Sequence, residues 1–127
     1  FRHELILLTF LHVRRGKFDK AEKTISKIKQ PDQLMKSQEA YYYYMLGMIE
    51  AQTRGATKSE RYFRKALSIG LRMKTDQAVA KLNLAGIAVM KRKKREAINL
   101  LAEVKKLDTR NMLDDQVKMI KTQMKRI

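Results

Sequence analysis

Three clusters of cationic side chains are the residues of this chain best suited to binding chemistry. The clusters comprise Arg14, Arg15 and Lys17; Arg54 and Lys58; and the unbroken run of Lys91, Arg92, Lys93, Lys94 and Arg95. Guanidinium and ammonium groups bind phosphate and carboxylate oxygens, and the 127-residue chain carries a formal net charge of +16. Nucleic acid, an anionic membrane surface and acidic protein segments are therefore candidate partners. The alternative is the solvated surface of a lysine-rich protein.

Residues suited to catalysis or metal binding are few. The sequence contains no Cys, which excludes a disulfide framework, a thiolate metal site and a thiol nucleophile. His3 and His12 are its two histidines, and on one helix nine residues separate them onto different faces, so a metal-binding pair is not expected. The sequence also lacks a glycine-rich phosphate loop and a paired-carboxylate signature. We therefore expect no enzymatic activity, no cofactor and no metal.

The elements that position the basic clusters repeat along the chain every 38 residues. Columns of apolar or small residues recur at this spacing: Ala21, Ser59 and Ala97; Leu8, Leu46 and Leu84; Thr9, Gly47 and Ala85; Ile25, Phe63 and Leu101; and Ile28, Ala66 and Val104. Within each unit these residues follow the spacing of an amphipathic helix. Gly16 and Gly55 mark a turn between the two helices of a unit, and Lys91–Arg95 occupies the corresponding turn of the third unit.

This pattern predicts an all-α fold in one domain spanning 1–127. We predict about seven helices, near 2–14, 17–30, 37–53, 56–71, 75–91, 94–107 and 112–126. The helices form three repeats, near 2–36, 37–74 and 75–110, followed by a capping helix within 111–127 that solvates the end of the stack. Asn111 is the predicted N-cap of that last helix. The first helix is apolar nearly all round, so either an upstream element or a partner is expected to cover it.

The repeat resembles the tetratricopeptide motif, which runs aromatic-x2-Leu-Gly-x2-Tyr, then Ala-x3-Phe, then Ala, then Pro. The second unit matches it with Tyr43, Leu46, Gly47, Phe63 and Ala66. The resemblance covers about residues 3 to 109, with departures. The period exceeds the usual 34, the closing Pro is missing, and the motif Tyr is replaced by His12, Glu50 and Ala88.

The resemblance implies a right-handed superhelical stack of antiparallel helix pairs, in which the first helix of each pair lines a concave groove. The residues expected to face that groove are Ile6, Phe10, Val13, Tyr41, Tyr44, Met48, Gln52, Val79, Leu82, Gly86, Val89 and Met90. Such a surface suits an apolar helix or extended peptide. Packing against a neighbouring helix or a second copy of the chain is the alternative. Tyr43 is expected in the core, and Leu46 is expected to fill the space beside Gly47.

In a solenoid, equivalent turns line one edge, so the three basic clusters should form one ridge. Our first interpretation is a non-enzymatic scaffold that binds a protein or peptide in the groove and contacts an anionic surface through this basic edge. An RNA-binding helical-repeat protein and a self-assembling structural module are the alternatives. The sequence begins at Phe1, which suggests a fragment of a longer protein. We expect a cytoplasmic location, with membrane association through upstream sequence as a further possibility.

Overall fold

The computed structural model describes residues 2–127, and across that range the chain is all-α. Seven α-helices occur there, with no β-strand: α1 Arg2–Arg14, α2 Phe18–Ile25, α3 Lys36–Thr53, α4 Ala56–Ile69, α5 Lys74–Met90, α6 Lys94–Leu107 and α7 Asp114–Met124. The predicted fold class is confirmed. Helices α3 and α5 begin 38 residues apart, and so do α4 and α6, as the sequence period requires.

Helix α2 ends earlier than predicted. It was expected to run to residue 30 but ends at Ile25, and a 3-10 turn follows at Pro31–Gln33. The backbone tightens after the helix, because the amides of Lys27 and Ile28 bond to carbonyl oxygens three residues back, at 3.2 and 3.0 Å. This tighter path carries the side chain of Ile28 into the core, where it is buried.

The helices divide into two compact units, one ending at Leu71 and the other beginning at Arg72. In the first unit, α3 packs against α4, α1 and α2, and α1 packs against α2. In the second, α5 packs against α6 and α7. The boundary falls close to the predicted junction of the second and third repeats. The single-domain organisation and its superhelical stacking stay predictions.

Four of the five sequence columns are buried in every repeat. At the column of small residues, for example, Ala21, Ser59 and Ala97 are all fully buried. The fifth column differs, because Leu84 is buried whereas Leu46 is only half-buried and Leu8 is 43% exposed. The prediction of a core position is therefore wrong for Leu8, which lies on the solvent side of α1.

Helix α7 covers a buried cluster that α5 and α6 form in the second unit. Leu82 belongs to a buried cluster with Leu101 and Val104, against which Val117 and Ile120 of α7 pack. Asn111 does not cap α7, contrary to the prediction. Its φ of 55° places it in the left-handed conformation of the connecting turn. The buried carboxylate of Asp108 instead accepts hydrogen bonds from the backbone amides of Met112 and Leu113, at 3.0 and 2.7 Å.

Candidate interaction surfaces

The first basic turn closes helix α1 through Gly16. The amide of Gly16 bonds to the carbonyl of Val13 at 3.0 Å, and the amide of Lys17 bonds to that of His12 at 2.8 Å. This pair of bonds is the Schellman motif, which needs a left-handed residue at its centre. Gly16 supplies it with a φ of 71°, as the sequence predicted, and Lys17 then begins α2.

The third basic turn repeats this geometry with an arginine in place of the glycine. The amide of Arg92 bonds to the carbonyl of Val89 at 2.9 Å, and the amide of Lys93 bonds to that of Ala88 at 2.8 Å. Arg92 therefore occupies the left-handed position, with a φ of 60°. A side chain with a Cβ is disfavoured there by about 1–2 kcal/mol. Sequence reasoning missed this strained residue, because its column contains Gly16 in the first repeat but Arg54, with a φ of −125°, in the second.

The second basic turn is partly neutralised. The guanidinium of Arg54 donates to a carboxylate oxygen of Glu22 on α2 and, at 3.1 Å, to Oε1 of Glu50 on α3. The hydrogen bond from Arg54 holds the pKa of Glu22 below its ordinary value. The same bond raises the pKa of Arg54. Arg54 therefore ties α2 to the end of α3, and the prediction that it serves as a cation of the basic edge is weakened.

All ten residues of the predicted basic edge are exposed, namely Arg14, Arg15, Lys17, Arg54, Lys58, Lys91, Arg92, Lys93, Lys94 and Arg95. The first two turns belong to the first unit and the third turn to the second. A single ridge through all three stays a prediction. The third turn is the densest of them, because it places five cations in succession at the start of α6.

The predicted groove is closed in the second unit. Leu82 and Val89 were expected to face a partner, but both are buried in clusters that include residues of α7. The last helix therefore fills the surface that was predicted to bind a peptide. Val79 and Gly86 are half-buried, and Met90 alone of this set is exposed, with 73% of its surface in solvent.

The predicted groove face is partly open in the first unit. Ile6 and Tyr44 are buried, contrary to prediction. Tyr44 packs edge-on against the Phe63 ring, with the two centroids 6.1 Å apart. The face that remains accessible consists of the half-buried Phe10, Val13, Tyr41 and Met48, with Gln52 exposed. The guanidinium carbon of Arg14 lies 5.7 Å from the Phe10 ring centroid, so a cation covers one edge of this face.

A tyrosine cluster on α3 and α4 was not predicted. Tyr43, expected in the core, is half-buried. Its ring stacks on Tyr62, meets Tyr42 edge-on, and lies 4.4 Å from the Lys65 ammonium nitrogen. Burial raises the pKa of Tyr42, with the neighbouring Tyr43 and Tyr62 adding to the shift. The ring contacts make this cluster a packed junction between the two helices.

Among residues 2–127, no group of three or more His, Cys, Asp or Glu side chains is placed to hold a metal ion. His3 instead hydrogen-bonds through Nδ1 to the amide nitrogen of Gln38 at 3.0 Å, which joins α1 to α3. None of the described helices combines the length and apolar character needed to cross a bilayer.

The chain is similar to a protein whose description names no function. The protein described as "Uncharacterized protein ycf37", from Cyanophora paradoxa, is 33% identical to this chain over 106 residues. The similarity covers 84% of the chain and 59% of the relative, so the chain spans less than two thirds of that protein's length. No protein-family model matches the sequence, and no solved structure matches it.

Proposed function

We propose that this chain is a non-enzymatic interaction module of the tetratricopeptide type, a scaffold that docks on an anionic lipid surface through its third basic turn. The observation that carries the docking proposal is Arg92, an arginine held in a left-handed conformation within five consecutive exposed cations. Gly16 adopts the same conformation at the first turn without the penalty of a side chain. A strained residue at a position that suits glycine is typical of a functional site.

The surroundings of the third turn favour lipid over RNA. Met90 precedes the cations and Ile98 follows them, and these apolar side chains are 73% and 48% exposed. Adjacent apolar and basic side chains suit the interface of an anionic bilayer, where each cation contributes about 1 kcal/mol. Binding to single-stranded RNA commonly uses aromatic side chains for base stacking. Residues 72–127 contain no aromatic side chain.

The scaffold part of the proposal draws on the open face of the first unit. Phe10, Val13, Tyr41 and Met48 leave an apolar, partly aromatic surface accessible on two helices that pack together. Flexible Met and flat aromatic side chains adapt to an apolar helix or extended peptide. With the third turn on a lipid surface, the first unit would be left to hold a protein partner of that chemistry.

Charge reversal tests the docking proposal. The variant R92E/K93E/K94E changes exposed turn residues, and K20E/K23E/K27E applies the same change of net charge at exposed positions in and beyond α2. Co-sedimentation with vesicles containing an anionic phospholipid should weaken about 100-fold or more for the first variant. The second should lose far less, and binding by the wild type should fall as salt rises.

Three outcomes would overturn the docking proposal. Equal losses of vesicle binding by both variants would show that the attraction depends only on net charge. Failure of the wild type to bind vesicles would leave the third turn a solvated surface. Retention on single-stranded RNA without vesicle binding would favour the nucleic-acid alternative.

A further inference from the structure

Helix α1 presents an apolar stripe to solvent. Leu7, Leu8 and Leu11 are 52%, 43% and 49% exposed, and among residues 2–127 they are the exposed leucines of the chain. The other large exposed hydrophobic residues are Met side chains and Ile98, distributed over several segments. Clustered exposed leucines on one helix mark an interaction surface, because their removal from water is favourable.

An acidic residue flanks one end of this stripe, and a basic residue flanks the other. Glu4 lies one helical turn before Leu8, and Arg15 lies one turn after Leu11. Arg15 follows the last residue of α1, but its amide still bonds to the carbonyl of Leu11 at 3.2 Å, which continues the helical path by one residue. The spacing of 4, 8, 11 and 15 therefore places all four residues along one line of the helix surface. Glu4 and Arg15 are both exposed, and no ion pair joins either of them to another side chain that the structure describes.

We infer that α1 binds α1 of a second copy of this chain in antiparallel orientation. A two-fold axis between residues 9 and 10 places Leu8 of one copy against Leu11 of the other. The same axis places Glu4 against Arg15 of the second copy, twice per dimer. The stripe is thus self-complementary in both apolar surface and charge, as an isologous interface requires.

Electrostatics favours the antiparallel orientation over the parallel one. A parallel pair would bring the cationic Arg14, Arg15 and Lys17 of both copies together. Antiparallel pairing separates those clusters by about 16 Å, the length of eleven helical residues and roughly twice the screening length at physiological salt. The inference does not rest on lipid docking, because the third turn lies in the other unit.

Sedimentation equilibrium of the 127-residue chain tests the pairing. The wild type should show a concentration-dependent doubling of mass, and L8Q/L11Q should raise the dimer dissociation constant at least about tenfold. The matched control M112Q/M119Q changes two exposed apolar residues of the second unit and should leave the constant unchanged. A wild type that stays monomeric at every concentration would overturn the inference, as would a control that dissociates equally.

A charge swap tests the orientation. In the antiparallel dimer, Glu4→Arg sets arginine against Arg15, and Arg15→Glu sets glutamate against Glu4, so each single change should weaken pairing several-fold. The double variant E4R/R15E recreates both ion pairs and should restore the wild-type dissociation constant within about twofold. A double variant as weak as the sum of the single changes would overturn the antiparallel register.

Discussion

The second and third repeats fill equivalent core positions with different pairs of side chains. In the second repeat Gly47 faces Phe63, and a Cβ on Gly47 would lie 3.0 Å from the ring carbons. In the third repeat the same columns hold Ala85 and Leu101, both buried. The larger partner accompanies the smaller one, so the total volume is roughly kept, as close packing demands. These substitutions therefore reflect packing rather than binding.

The turns at Gly16 and Arg92 also differ between the two units, but this difference is not compensated. Gly16 and Arg92 share one backbone geometry, but the arginine adds strain at a position where its side chain is exposed. The core exchange between the second and third repeats conserves volume, so packing explains it. The exchange of Gly16 for Arg92 adds both strain and charge, which points to binding.

The largest expected effect is a difference in the free energy of unfolding among alanine variants of Leu8, Leu46 and Leu84, which share one column. Leu84→Ala should cost about 2–5 kcal/mol of unfolding free energy, because it truncates a buried leucine. Leu46→Ala should cost less, since that side chain is half-buried, and Leu8→Ala should stay within about 0.5 kcal/mol in dilute solution. Urea titrations of the three variants measure this order. Equal midpoints would show that burial does not distinguish the three positions.

The exchange of Gly47 and Phe63 for alanine and leucine should have non-additive effects on the free energy of unfolding. Gly47→Ala should destabilise by about 1 kcal/mol, because the clash of its methyl group with the Phe63 ring exceeds the stabilisation that alanine gives over glycine inside a helix. Combining it with Phe63→Leu recreates the pair of the third repeat, so the double variant should be more stable than the sum of the single effects by about 1 kcal/mol. Simple additivity would refute the volume exchange.

The turn exchange should give effects of opposite sign. Arg92→Gly should stabilise the chain by about 1 kcal/mol, because glycine removes the left-handed penalty. Gly16→Arg should destabilise by a similar amount, although no heavy atom lies within 4 Å of the position its Cβ would take. Thermal unfolding measures both shifts. Destabilisation by Arg92→Gly would mean that the arginine has a structural role.

The smallest expected effect concerns the ion pair at the second turn. Because the bond to Arg54 lowers the pKa of Glu22 in the folded chain, its contribution to stability is present above the unfolded pKa of that carboxyl group. It is lost as the pH falls through the lower, folded pKa. Glu22→Gln should therefore destabilise slightly at neutral pH and match the wild type in acid. A deficit that persists in acid would point to packing by the Glu22 side chain instead.

The sequence predicted the helices and most of the core, because helical spacing and the 38-residue period are both local patterns. The columns ending in Ala97 and Val104, for example, are buried as expected. Predictions failed where tertiary packing decides. Whether Leu82 faces a partner or α7, and whether Leu8 is covered, depends on which helix lies alongside.

Two further features, Arg92 and Asp108, lie at helix ends, where the local turn geometry decides the structure. Arg92 aligns with Gly16 at the 38-residue period, but Arg54 occupies the same column with a φ of −125°, so the alignment alone does not identify the left-handed residue. Asp108 lies just before the connection to α7, a position where a carboxylate often accepts backbone amide bonds.

We propose that the third basic turn enters the interface of an anionic membrane, and a fluorescent probe at this turn tests it directly. Because the chain has no Cys, a single one introduced at Met90 can carry an environment-sensitive fluorophore, with Met119→Cys on exposed α7 as the control. On vesicles containing an anionic phospholipid, the probe at position 90 should shift to shorter wavelength, and the probe at position 119 should shift little. A probe at 90 that stays in water while the chain is bound would contradict the claim.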